Sequence, residues 1–398
     1  MKYELYGDGI HDDTAAIQEL LDTYCEVSLP APKVRYLISK PLILHSGCKL
    51  KLPRFAEIRL APQSNCVMIT NEMKDGPGIC GSSKLFCYLE NHLPDFTVEN
   101  IAIEGGIWNF NNKEQHPNQI GKYGCEGYLE GYSGFGMLFY NVKNFTLENL
   151  TLKDPVNFAV NMDTVSYFNV HDITFDYNDG NPYQSNMDGI HIVGHSHHGS
   201  VSRLFGTCYD DIVALNAHEG SCGPISDVTV SGIYTSESYS AVRLLTASPR
   251  CPISNIHISD VYGTFYHFGI GLMNYYDTGE YGILENVTID NVYASHSSRD
   301  KVKFYLVHDY RKYGIVDVGD WVMVKNLKIS NLHRKESVDA TPTVWCFEGT
   351  TIENLILDNI TSENHTDAAE MPLCDIKSEV VGLVASNLCE DGKEIVLN

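Results

Sequence analysis

The sequence predicts an all-β solenoid: a single-domain right-handed parallel β-helix over residues 1–398, closed at its N-terminal end by a capping helix at residues 13–24. Three observations predict it. A short phrase returns about every 25–30 residues, apolar and polar residues alternate inside it, and one amphipathic helix stands near the start.

The phrase reads apolar, any, Asn, apolar, any, apolar. It occurs at Val98–Ile103, Val142–Leu147, Tyr167–Ile173, Ile225–Val230, Ile253–Ile258, Leu284–Ile289, Val324–Ile329 and Ile352–Leu357. From Asn144 its central residues are Asn169, Asp227, Asn255, Asn286, Asn326 and Asn354, at separations of 25, 58, 28, 31, 40 and 28, the second spanning two turns. Alternation with period 2 is the signature of a strand. A unit this short cannot bury its apolar face alone, but it can when stacked on its neighbours. Leucine-rich repeats would need a leucine scaffold and a helical half-turn, and propeller blades need about 40–45 residues each. A parallel β-helix of roughly ten coils remains, each coil about 4.8 Å above the last. The repeated Asn belongs at a tight turn, where it tolerates a left-handed backbone. The glycosylation sequons beginning at Asn144, Asn149 and Asn286 fall in or beside the phrase and are read as turn chemistry.

The helix at 13–24 is placed by Asp12 and Asp13 as caps and by the stripe Ala16, Ile17, Leu20, Leu21 and Tyr24. A polar-backed helix is a physical answer to the open core end of a solenoid. Residues 70–95 and 111–134 break the repeat and read as long loops walling a binding face, the second carrying Tyr123, Tyr128 and Tyr132.

Composition narrows the function. Hydrophobic residues make up 43% and charged residues 20%, so the chain can build a core. No apolar run reaches the length of a membrane span. A formal net charge of -23 disfavours nucleic acid and anionic membranes as partners. Twelve cysteines without a Cys-x-x-Cys pair exclude a zinc ribbon or redox motif and read as free thiols. With no secretion signal at the start, they point to the cytoplasm; a trimmed secreted or periplasmic form is the alternative.

The chemistry concentrates in residues 185–220. Asp188 precedes Asp210 and Asp211 by 22 and 23 residues, about one coil, so it lies beneath one of them on the same face. Carboxylates that close repel, and one pKa rises. A raised carboxyl beside an ionised one is the pair that glycoside hydrolysis needs. Because neighbours on a strand face opposite ways, Asp210 and Asp211 share a cleft only if one sits at a bend, and Gly206 and Thr207 make room for it. Spacing alone leaves open which aspartate is the acid. Asn186, His191, Asn216, His218, Glu219 and Arg243 are expected substrate contacts. His195, His197 and His198 lack a fixed carboxylate partner, so no metal or other cofactor is expected.

The opening Gly7–Gln18 resembles the start of pectate-lyase-superfamily β-helix proteins, including phage tailspikes. Ile103–Asn109 resembles the phrase before the catalytic coils of polygalacturonase-like family 28 glycoside hydrolases. Asn186-Met187-Asp188-Gly189 and Asp210-Asp211 resemble that family's Asn-Thr-Asp-Gly and Asp-Asp. The resemblance implies inverting hydrolysis, with Asp210 as general acid and Asp188 and Asp211 holding and activating water. Two departures matter. Ser238-Tyr239-Ser240 stands near the family's Gly-His-Gly, and Phe268–Met273 stands where Arg-Ile-Lys would clamp a galacturonate carboxylate. The lost clamp and the charge of -23 speak against polygalacturonate. Arg243 is the cation on the Tyr239 coil. The expected substrate is an oligosaccharide with a neutral or singly acidic terminal sugar, attacked from its end. A polysaccharide lyase using Ca²⁺ and a basic residue, a non-catalytic carbohydrate-binding solenoid and a C5-epimerase are the competing readings. The sequence carries no signal for oligomeric state.

Overall fold

The computed structural model describes residues 3–73, 97–119, 129, 131–178, 180, 186–276, 278–297, 313–319, 321–336, 341–364 and 372–397. Tyr123 and Tyr128 lie outside them. The chain winds as a right-handed parallel β-helix. Strands pair in parallel with those one coil below and above, from Glu26–Ser28 on Lys49–Lys51 to Thr351–Asn364 on Glu379–Glu390. Among the described residues only the final strand, Lys393–Glu394, runs antiparallel to its partner. Inward-facing residues form one continuous apolar column, from Ile17 through Ile103, Val170, Val230 and Ile289 to Leu388.

Each coil bends at residues with left-handed backbone. Asn144, Asp227, Asn255, Asn286, Asn326 and Asn354 have φ between 55° and 62°. Their side chains form a ladder up the solenoid. Each amide donates to the coil below: Asn255 to Asp227 at 2.9 Å, Asn286 to Asn255 at 2.9 Å, Asn326 to Asn286 at 2.8 Å and Asn354 to Asn326 at 2.9 Å. These side-chain bonds tie each turn to the turn below it, and Asn and Asp tolerate the left-handed backbone that the turn requires.

The repeat needs one correction. Asn169 is not a turn residue. In the register of adjacent coils Thr146 faces Asn169, and the turn position falls to Tyr167, with φ 54°. The next turn residue is His198, with φ 56°, so the apparent 58-residue gap contains a regular coil. Tyr167 and His198 replace the amide ladder with a stacked pair, ring centroids 5.0 Å apart. A two-residue slip leaves every side chain on its original face, so the apolar alternation cannot reveal it.

The helix spans Thr14–Thr23 and buries Thr14, Ala16, Ile17 and Leu21. Tyr24 follows it and is exposed, so the apolar stripe ends at Leu21. Asp13 does not cap with its side chain. Its buried carboxylate instead accepts the backbone N–H groups of Tyr6, Gly7 and Leu37 at 2.7, 3.1 and 3.2 Å. Asp12 takes the Thr14 N–H at 2.9 Å. Ile17 and Leu21 join the solenoid core. Deleting residues 1–24 is therefore expected to expose the core end and cause aggregation, seen by light scattering against the full chain. A truncation that stays monodisperse would show that the helix does not protect the core.

The second loop region contains a short 3₁₀ turn, Asn112–Glu114, and Tyr132 is buried at 4% exposure rather than displayed on a binding face.

Candidate active site

Four stacked strands carry the site: Val160–Asp176, Ile190–Val193, Asp211–Asn216 and Ser240–Leu245. Ile190 pairs with Val213, and the Gly189 N–H donates to the Asp211 carbonyl at 2.9 Å. Asp188 therefore lies in register with Asp211, and Ser240 continues that row on the next coil. Asp210 sits in the bend just before the strand. Two glycines make this backbone possible. Gly206 has φ 111°, and a side chain there would press its Cβ to 2.1 Å from the Phe175 carbonyl oxygen. At Gly189 a Cβ would come within 2.5 Å of the Ile212 carbonyl oxygen. The bend at Gly189 also breaks the strand alternation, so Asp188 and His191 meet instead of facing opposite ways.

All three aspartates are at most 5% exposed, and their partners differ. Asp188 Oδ2 accepts from His191 Nδ1 at 2.7 Å, while its Oδ1 has no hydrogen-bond partner among the described residues. Asp211 uses both oxygens: Oδ1 accepts the Ser240 hydroxyl and Oδ2 pairs with Arg243 Nε at 2.8 Å. Asp210 has only the edge of the same guanidinium, Arg243 Nη2, 3.5 Å from Oδ1. Burial pushes the Asp210 carboxyl well above the usual carboxylate range, and the negative charges of Asp188 and Asp211 push it further. Burial also raises Asp211, to about 6, against the pull of Arg243. Asp188 is raised by burial and restrained by His191. The group without a dedicated cation is the one whose pKa is pushed furthest upward.

His191 lies between two carboxylates. Its Nε2 is 2.9 Å from Glu219 Oε2, and Phe158 stacks on the ring with centroids 3.8 Å apart. Although burial opposes its charge, the two carboxylates raise the imidazole to about 10. Glu219 is held down to about 2, burial being outweighed by His191, Tyr276 and Asn216. Tyr276 donates to Glu219 Oε1 at 2.5 Å, and Asn216 Nδ2 to Oε2 at 3.0 Å.

These contacts revise several expectations. His191 has both ring nitrogens engaged by carboxylates, and Arg243 pairs through Nε with Asp211 and approaches Asp210 through Nη2. Arg243 is also flanked by the rings of Tyr275 and Phe268, at 5.0 and 5.4 Å. Glu219, the natural second choice for an acid, is an anion committed to His191. Asn216 anchors Glu219 and keeps Oδ1 unpartnered among the described residues. His218 is buried near the Tyr276 ring, 5.6 Å between centroids, and Asn186 is half-buried in a left-handed conformation with φ 52°. Tyr239, standing where the resembled family has histidine, lies beside Asp210 on the next coil, stacked on His267 at 4.2 Å. His195 packs against Gly223, while His197 and His198 occupy the neighbouring turn. Among the described residues no three His, Cys, Asp or Glu side chains converge as a metal site.

Ser240, Tyr276 and Asp163 belong to the site without having been expected. Asp163 is buried, accepts the Ser221 N–H at 3.1 Å and is raised to about 6 by burial. A residue facing outward on a site strand was the available signal for Asp163 and Ser240. Nothing in sequence ties Tyr276 to Glu219, 57 positions away.

Residues 135–237, which hold the three aspartates, match the model of glycosyl hydrolases family 28. No curated protein matches the chain by sequence. Among solved structures, a family 28 exopolygalacturonase from Yersinia enterocolitica is 15% identical, with TM-score 0.54 over 99% of this chain and 78% of that one. An endo-xylogalacturonan hydrolase from Aspergillus tubingensis is 14% identical, with TM-score 0.61 over 94% and 98%. A tailspike protein mutant of E. coli bacteriophage HK620, in complex with a hexasaccharide, is 14% identical, with TM-score 0.60 over 95% and 67%. At these identities the structures share the β-helix fold. The family match supplies the class: the chain is a glycoside hydrolase resembling family 28.

Proposed function

We propose that the protein is an inverting, exo-acting glycoside hydrolase that releases a neutral or singly acidic terminal sugar from an oligosaccharide. The observation that carries this reading is the division of labour among three buried aspartates. Asp210 has only a 3.5 Å approach from Arg243 and a carboxyl pushed well above its usual range, which suits it to carry a proton, while Asp188 and Asp211 each have a close cation. In this mechanism Asp210 protonates the leaving glycosidic oxygen. Asp188, with Oδ1 open, orients water and takes its proton as the C–O bond breaks. Asp211 anchors Arg243 beside the acid and, with a further lone pair on each engaged oxygen, assists Asp188 in holding the water.

The substrate class follows from the same pairing. The cations at the aspartates, Arg243 and His191, are already matched to protein carboxylates, which favours a sugar without a carboxylate at the cleaved position. End-on attack is the form of the reaction proposed here, with the three aspartates at most 5% exposed at the base of the site. Residues 1–398 act in this hydrolase as one β-helix unit.

Proton NMR of a panel of neutral and acidic oligosaccharides tests it. The expected first product is a single sugar of inverted anomeric configuration, formed equally well in EDTA. Retained configuration would remove the inverting mechanism, and internal cleavage the exo assignment. An unsaturated product lost on chelation and restored by Ca²⁺ would establish a lyase.

A further inference from the structure

In this chain Asp188 is held by a bonded series that crosses coils. Asp188 and His191 flank the start of the strand Ile190–Val193, and Glu219 follows the next strand, Asp211–Asn216. Tyr276 follows Ile270–Met273, two coils further on. The distances run 2.7 Å from Asp188 to His191, 2.9 Å from His191 to Glu219 and 2.5 Å from Glu219 to Tyr276.

We infer that Glu219 and Tyr276 are positioning residues that act through His191 to hold Asp188 as the ionised, water-orienting carboxylate. This deepens the hydrolase reading and rests on it for its kinetic consequences, but the protonation of His191 can be observed without any substrate.

An imidazole with a carboxylate at each nitrogen satisfies both only by donating from both, so it is an imidazolium. Phe158 fixes its plane at an 8° angle to its own ring. With both donors committed, His191 acts on Asp188 and not on substrate. Its bond occupies Asp188 Oδ2 and stops the carboxylate from rotating, which leaves Oδ1 as the open atom. Glu219 supplies the charge that keeps the imidazolium protonated, and Tyr276 and Asn216 fix both Glu219 oxygens. Asp163, Asp210, Asp211 and Arg243 also act on this network through charge, but none has a hydrogen bond to His191. The raised imidazole and depressed Glu219 carboxyl agree with this geometry.

The sign of the kinetic effect follows. Glu219→Gln removes one of the two anions holding the His191 proton. A neutral His191 stabilises ionised Asp188 less, so the Asp188 pKa rises and the acidic limb of the rate profile moves to higher pH.

The test uses the full chain and the variants Glu219→Gln and Tyr276→Phe. Nitrogen-15 NMR of histidine-labelled protein, with the His191 signals assigned by their loss in His191→Gln, reads the ring directly. Both nitrogens should stay protonated across about pH 6–8 in the native protein, whereas in Glu219→Gln the ring should titrate within that window. On a cleaved substrate, Glu219→Gln should move the acidic limb up by about one unit, roughly a tenfold loss of rate below it. Tyr276→Phe should lower kcat about tenfold, with KM within about twofold, since Glu219 loses one charged-group hydrogen bond. A native His191 that titrates near its ordinary value overturns the inference, as does a Glu219→Gln variant that moves neither the NMR signals nor the limb. Equal changes in kcat and KM without a pH shift would reduce these residues to structural packing. If no oligosaccharide is cleaved, the hydrolase reading fails while the NMR result still decides the His191 network.

Discussion

Asp210→Asn is expected to cost at least about 100-fold in kcat and to remove the basic limb of the pH–rate profile. Asp210 is buried, faces two other carboxylates and has only a 3.5 Å approach from Arg243, so it keeps its proton well above the usual carboxylate range. An acid must be protonated to work, so the native rate falls as pH rises through the Asp210 pKa. A base must be ionised, so the rate rises as pH climbs through the raised pKa of Asp188. The product is a bell belonging to the coupled group. Asparagine keeps the shape and cannot give a proton, which leaves the acidic limb alone. Since acid and base act in one transition state, Asp188→Asn combined with Asp210→Asn should cost far less than the product of the single losses. Stopped assays over pH, with binding measured separately, check this. Near-normal turnover in Asp210→Asn would place the acid elsewhere, and Glu219 would be a poor replacement because its proton is lost at about 2.

His191→Leu is expected to be the most destabilising single change at the site, by about 3–5 kcal/mol. It leaves the Asp188 and Glu219 carboxylates, now 2.7 and 2.9 Å from their imidazolium partner, facing an apolar side chain. Breaking one side of a buried charge group leaves the other side uncompensated. The denaturation midpoint should fall at unchanged slope. Adding Glu219→Gln should recover part of the loss. The pH dependence has a definite sign. The His191 pKa is raised from 6.5 to about 10, so its contribution is full below 6.5 and disappears as pH rises through 10. The native advantage over His191→Leu should therefore shrink at alkaline pH. A constant gap up to that range would mean that His191 is neutral in the folded protein.

The site was legible in its acids and illegible in their partners. Asp188 and the Asp210–Asp211 pair stand one coil apart in a solenoid, and that spacing alone brings them together. Arg243 was visible as the nearby cation, but not as the counterion of Asp211. His191 was visible three residues after Asp188, yet a regular strand would turn it away; only the bend at Gly189 lets the two meet.

The sequence by itself determined the β-helix, because strand alternation and a coil-length repeat leave stacked coils as the way to bury those faces. It also placed Asp188 one coil from the Asp210–Asp211 pair, while the bend that lets both members of that pair face one site came from the tertiary structure. Tertiary structure decided which residues mark the turns and which partner each carboxylate has. A slip of two residues at Tyr167 preserves every face, so periodicity cannot set register. The contacts from His191 to Glu219 and from Glu219 to Tyr276 span 28 and 57 positions. They exist only because the length and bend of each intervening coil place those side chains within hydrogen-bond reach.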